Sequence, residues 1–279
     1  TLLTDFNIKY EISIGLLDKQ DGIRFDKDQP AVSGEPTLLV MHLSAQPFDW
    51  WTIGFNRTLM FGGDKKVTLS DIWHGIIDPV NSDNCGGEGT ELKDCSEELG
   101  NQQASITNKF DLNLLHMPVS FYYEYAGEDT SHYSNNRLGN TAHSFGLFLP
   151  YLNKIMSLNM ELTNFQSAWY THHIYDEGYS NENVKMGHWW GSMKDPKDGV
   201  GGKAGSIRFD WQNSNESQIT LLYRTANFDE STFADYQQSH ELEIKYSRVV
   251  DSGFLGLKLY LGKNNYDENF VQTSVSYTW

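Results

Sequence analysis

The side chains best suited to chemistry fall in a few short clusters. Ser131-His132-Tyr133-Ser134 contains a His-x-Ser pair. On a strand, residues two apart share a face, so His132 could take the Ser134 proton and activate it as a nucleophile. The flanking Gly127, Glu128, Asp129, Asn135, Asn136 and Gly139 have the composition of a polar loop instead. His172-His173 has the residue type of a metal-ligand pair, but neighbours on a strand point to opposite faces and cannot chelate one ion together. Glu128-Asp129 and Asp176-Glu177 are paired carboxylates, with nothing in the sequence to fix the separation that acid–base chemistry needs. Trp189-Trp190 joins His188, Tyr175 and Tyr179 in a Gly-rich aromatic cluster. Flat rings beside polar groups suit sugar stacking, and suit a membrane boundary equally well. Cys85 and Cys95 lie in a Gly- and acid-rich stretch and fit a disulfide closing a short loop in an oxidising compartment. Two thiols alone make only half a zinc site. No Gly-Lys phosphate cradle occurs, and neither metal nor cofactor is expected.

The elements that must position these groups are strands. The chain has 279 residues, of which 39% are hydrophobic and 14% aromatic. No run approaches the ~18–20 apolar residues of a transmembrane helix, which excludes a helical membrane protein. Period-two alternation recurs instead. Ile8, Tyr10, Ile12 and Ile14 share one face, as do Met156, Leu158, Met160 and Leu162, and Leu255, Leu257, Leu259 and Leu261. The last run sets Val271, Thr273, Val275, Tyr277 and Trp279 against Gln272, Ser274, Ser276 and Thr278. About a dozen such strands are expected, many about 9–11 residues long, the length that crosses a bilayer at a tilt. The opposite face carries Arg208, Asp210, Glu241, Glu243, Lys245 and Lys258, which belong in a wet lumen. Tight turns at 213–216 and 250–253 alternate with long polar loops at 18–35, 62–100, 126–142, 176–203 and 226–235. Leu69, Ile72, Trp73 and Ile76 recur at helical spacing after Thr68 and Ser70, predicting one short helix near 68–77. The fold expected is an all-β antiparallel transmembrane barrel of outer-membrane type, in a single domain. An aromatic-rich secreted β-sandwich is the other all-β solution.

The net charge of −16 makes nucleic acid and anionic headgroups poor partners. The chain starts Thr1-Leu2-Leu3, with no Met and no export signal, so an N-terminus that is processed or truncated is expected.

One ordered set of motifs resembles a known family. Residues 51–63 hold a Gly54-Phe55-Asn56-Arg57-Thr58 core and a Gly62-Gly63 turn, followed by a helix carrying Trp73. Pro118 to Asp129 ends in Gly127-Glu128-Asp129. Glu161 to Thr163, Tyr170 to His173, Gly178-Tyr179 and Gly187-His188-Trp189-Trp190-Gly191 follow in order. This resembles the outer-membrane capsule-assembly family of the Wzi type over most of residues 36–279. The resemblance implies a barrel of roughly eighteen strands, of which this chain would lack the first several. It implies a non-enzymatic, monomeric surface lectin, set in outer-membrane lipid with its loops outside, that binds capsular polysaccharide or exopolysaccharide. Tyr175, Tyr179, His188, Trp189, Trp190, Glu128, Asp129 and Trp73 are the expected contacts. The alternatives are an outer-membrane lipid hydrolase using His132 and Ser134, and a passive porin.

Overall fold

The computed structural model describes residues 6–26, 28–80, 97–131, 134–182 and 184–279. The alternating runs become strands: β1 (Lys9–Leu16), β2 (Gln20–Ile23), β3 (Val32–Phe48) and β4 (Trp51–Gly63). Helix α1 (Leu69–Ile77) follows, then β5 (Gly100–Leu114), β6 (Met117–Ser131), β7 (Ser134–Asn153) and β8 (Met156–Phe165). An insert over 166–201 holds the short β9 (Ser180–Asn181) and β10 (Val184–Lys185) and a 3₁₀ turn at Trp189–Met193. β11 (Gly202–Ser214), β12 (Ser217–Phe228), β13 (Ser239–Val250), β14 (Gly253–Lys263) and β15 (Asn269–Thr278) complete the chain.

Each long strand pairs antiparallel with the next, in the order β1-β3-β4-β5-β6-β7-β8-β11-β12-β13-β14-β15, with β2 beside β3. The register sorts the side chains into two faces, because residues directly opposite point the same way. Phe55, Ile106 and Tyr125 lie in one row, as do Phe209, Leu221 and Leu158. Arg224 sits opposite Glu241 on the other face and binds it at 2.9 Å. The apolar face stays exposed at Phe55, Ile106, Phe121, Phe145, Leu162 and Val275, as a lipid-facing wall requires. The opposite, lumen face carries the ion pairs Lys109–Asp111, Arg208–Asp210 and Arg224–Glu241.

The turns are short at one end of the sheet. Leu115 and His116 close the β5–β6 hairpin with φ of 53° and 65°, the positive-φ pair that a two-residue hairpin turn demands. Phe48, Trp50, Trp51 and Phe110 stack at this end, an aromatic border. Long connections gather at the other end. One of them differs from expectation: residues 126–131 and 134–142 are strand, not loop, with Gly127 opposite Thr141 and Asp129 opposite Gly139. The β6–β7 hairpin projects so far that neither face needs to be apolar, so alternation fades and its residues look like a loop. Within the expected 18–35 loop, β2 pairs with the start of β3.

Candidate functional site

The insert over 166–201 folds back onto the lumen face at the loop end and packs there as two cores. In the first, Trp190 stacks between Phe165 and Phe228, at ring distances of 4.5 and 5.2 Å. Ala142, Ala204 and Ala226, small residues on the wall, leave room for these rings. In the second, Tyr175, Tyr179 and Ile174 pack with Leu17, Ile23 and Met60.

Hydrogen bonds fix the insert to the wall. Glu128 of β6 is buried and accepts the Tyr170 N–H with both oxygens, at 3.0 and 2.8 Å, together with the Asn101 and Gln103 side-chain amides. Tyr175 donates its hydroxyl to the Gly62 carbonyl, Tyr179 to the Asn101 carbonyl, and Trp190 Nε1 to the Asn227 carbonyl. The Gly-His-x-x-Gly spacing has a physical reason. A Cβ on Gly187 or Gly191 would lie within 2.4 Å of the Tyr170 ring, and the His188 N–H donates to the Tyr170 hydroxyl at 2.9 Å. These glycines let the chain close around one ring.

The expected contact residues therefore divide. Tyr175, Tyr179, Trp190 and Glu128 are buried and hold the insert. An aromatic cluster in sequence says nothing about which rings end inside. His188 and Trp189 reach the lumen. His188 Nδ1 accepts the Trp190 N–H, so its Nε2 proton points at Glu161, 3.6 Å away. Trp189 lies under the Arg224 guanidinium at 5.1 Å, and Arg224 also faces Tyr260. Trp73 is elsewhere, on α1 outside the wall. Asp129 sits in β6 opposite Gly139. Sequence reasoning placed Glu161 and Tyr170 in family motifs without giving them a role, and did not single out Arg224 or Tyr260; the usable signal was charged residues recurring on the lumen face.

Beneath the insert, a cavity of about 220 Å³ is lined by Asn56, Gln103, Ser105, Glu124, Trp169 and His188, among others. Above it, the loop-end rim is knitted together. Tyr236 accepts the Asp195 N–H at 3.1 Å, Gln237 N–H donates to the Asn265 carbonyl, and the Asn265 amide donates to Met193. Tyr236 and Tyr266 lie 5.8 Å apart on this rim, with Phe233 in the same loop as Tyr236. Phe233 is 62% exposed and Tyr266 52%.

His172 and His173 leave the strand geometry assumed for them. They sit in irregular chain and both aim Nε2 at the buried Glu98, at 3.3 and 3.0 Å. The two can therefore meet one partner, against the expectation from strand alternation. The donor set has the composition of a divalent-metal site. However, His172 Nδ1 accepts the Ile174 N–H, which leaves its proton on Nε2, facing Glu98. As built, the cluster is a hydrogen-bonded staple between the insert and the start of β5. Burial pushes the Glu98 carboxyl up, but the hydrogen bonds from the two imidazoles hold it below the usual glutamate value. Lys194 is buried over the Trp190 ring, donates to the Asp198 carbonyl, and is pushed down by burial to about 8.

Ser134 opens β7 opposite Ser131, at the tip of the hairpin. His132, Cys85 and Cys95 lie outside the described residues.

Comparison with known proteins agrees with this architecture. No curated protein matches the sequence. Among solved structures, the chain is similar to Wzi, an outer-membrane protein involved in group 1 capsule assembly in Escherichia coli and a carbohydrate-binding β-barrel. The identity is 19% and the TM-score 0.62, covering 96% of this chain and 54% of that one. The chain thus spans about half the length of that neighbour. The outer membrane channel DcaP of Acinetobacter baumannii aligns at 10% identity over 95% of each chain, with a TM-score of 0.40, too low to carry an argument. The family model for capsule assembly protein Wzi matches residues 6–272, nearly the whole sequence, and the chain belongs to that family.

Proposed function

We propose that this chain is the wall and plug of an outer-membrane barrel that binds capsular or other exported polysaccharide at its loop end. It acts without catalysis, and helps assemble or hold the capsule at the cell surface. The observation that carries this reading is the rim over the packed insert. Exposed Tyr266 packs against Tyr236 and donates its N–H to Asn264, exposed Phe233 lies in the Tyr236 loop, and the scaffold is fixed by the Tyr236, Asn265 and Glu128 hydrogen bonds. A rigid platform of rings and polar groups binds sugars with little ordering cost. The net charge of −16 favours neutral glycans, or acidic ones bridged by cations.

An insert packed across the lumen face counts against a passive pore. In lipid an unpaired strand edge is costly, so β1 and β15 must take neighbours, whether each other or further strands.

The test is capsule retention in cells carrying the full protein with Phe233→Ala and Tyr266→Ala. Polysaccharide shed into the medium at unchanged protein level is expected. Full retention would count against the rim as the binding surface. Ser134→Ala serves as the enzymatic control, and loss of a lipid-hydrolase activity in that variant would overturn the non-catalytic reading.

A further inference from the structure

Helix α1 lies on the outside of the wall, against the face that bears Phe55 and Ile106. Thr68 caps it: its Oγ1 accepts the Asp71 N–H while Asp71 accepts the Thr68 N–H. Ile72 and Ile76 pack on Leu39, Leu59, Phe61 and Leu99. Gly75 comes so close that a Cβ would stand 2.3 Å from Leu99. The helix also covers a cation, Arg57, in its stretch of apolar wall. Arg57 donates to the Gly75 carbonyl at 2.7 Å and to the Gln102 side chain, so the interruption in the apolar run of β4 is capped by helix backbone.

The helix circumference divides into three sectors. Successive residues advance by about 100°. Ile72, Gly75 and Ile76 therefore face the wall. Leu69, Trp73 and Ile77 form a second stripe, and Ser70, Asp71 and His74 a third. The second stripe is apolar yet exposed, Leu69 by 86%, Trp73 by 59% and Ile77 by 51%. The third is polar and also exposed. A helix between wall and water has no use for the second stripe. A helix lying along the wall at a lipid–water boundary needs all three.

We propose that α1 is an interfacial helix, with Leu69, Trp73 and Ile77 inserted among the acyl chains of the leaflet at the loop end and Ser70 and His74 turned to water. The occupant is lipid because the stripe continues the exposed apolar wall at Leu43, Phe55 and Ile106. Trp73 then marks the loop-side border of the bilayer, as Trp50 and Trp51 mark the other. This assigns Trp73 to lipid instead of polysaccharide. The inference rests on the reading of the sheet as a membrane wall.

The test is nitroxide accessibility in phosphatidylcholine vesicles holding the full protein, with Cys85→Ser and Cys95→Ser as background. Labels are placed through Leu69→Cys, Trp73→Cys, Ile77→Cys, Ser70→Cys and His74→Cys, with Phe145→Cys as the wall control. Labels at 69, 73 and 77 should collide with oxygen like the control, and those at 70 and 74 with a water-soluble nickel chelate. Nickel access at 69, 73 and 77 with an oxygen-accessible control overturns the helix proposal alone; nickel access at the control overturns the wall reading. Shielding of 69, 73 and 77 from both reagents means that protein covers the stripe, and also overturns the proposal. A second readout needs no new cysteine. Brominated acyl chains should quench less of the total fluorescence in Trp73→Phe than in the parent, and equal quenching contradicts the proposal.

Discussion

Two tryptophans at the loop end, Trp73 and Trp190, stand in similar sequence company and reach opposite ends. Trp190 follows a glycine and a histidine by a few residues, and is 0% exposed between Phe165 and Phe228 on the lumen side. Trp73 precedes a histidine and a glycine, and is 59% exposed on the outside of the wall. Local sequence gives each an aromatic ring in a polar, Gly-containing segment. What separates them is which sheet face the segment meets. The insert crosses a lumen face with small residues at Ala142, Ala204 and Ala226, so its rings are swallowed. Helix α1 meets an outward face with branched and aromatic residues and can bury only one of its sides. A ring's role at this end of the molecule is set by the far strand and not by its neighbours in sequence.

The comparison can be broken most easily at Trp190. Trp190→Ala should cost about 3–5 kcal/mol and expose the insert to protease, because the ring is enclosed on both faces. Trp73→Ala in detergent should shift the same unfolding transition by less than about 0.5 kcal/mol. Equal effects would erase the distinction.

Lys194 gives the next largest effect, with a definite sign in pH. Its folded value of about 8 lies below its ordinary 10.5, so the unfolded chain holds the proton to higher pH. The destabilising charge is fully present below about pH 8 and is relieved as pH climbs toward 10.5. Protection of the insert should therefore rise across that window, by at most about 3 kcal/mol, and Lys194→Met should flatten the rise. Amide exchange in the insert of the parent and the variant checks this.

Glu128→Ala should cost about 2–3 kcal/mol, since it leaves the Tyr170 N–H and two side-chain amides without their shared acceptor. Exchange at the Tyr170 amide should accelerate before that of the wall strands. The smallest effect is at α1. Thr68→Ala should cost the helix about 1 kcal/mol, seen as faster exchange at Asp71 and Ile72, with the insert untouched.

Much of the wall was legible in the sequence, for a simple reason. Lipid on one side and water on the other impose period two, and the runs ending at Trp279 carry it plainly. The helix was legible too, at Leu69–Ile77, because capping and helical spacing are local, and the structure uses Thr68 instead of Ser70 as its cap. Legibility failed where the two-sided environment ended. The paired strand ends over 126–131 and 134–142 rise beyond the apolar belt, so they carry no alternation to read. His172 and His173 belong to no strand, so the rule that separated them did not apply. Arg57 interrupts the apolar face of β4, and its carbonyl partner at Gly75 comes from α1. Glu128 accepts a backbone N–H 42 residues away, a partner that its neighbours in sequence do not show. Each of these outcomes depends on long-range contacts that composition does not encode.

The central claim is that buried rings hold the loop end together while exposed rings touch the polysaccharide. Its most direct measurement is a binding isotherm of purified capsular polysaccharide on vesicles carrying the full protein. The parent is compared with the Phe233→Ala, Tyr266→Ala double variant, and each sample's melting is recorded alongside. The account predicts binding weakened by about tenfold or more with melting unchanged. Unaltered binding with both rings gone would contradict it.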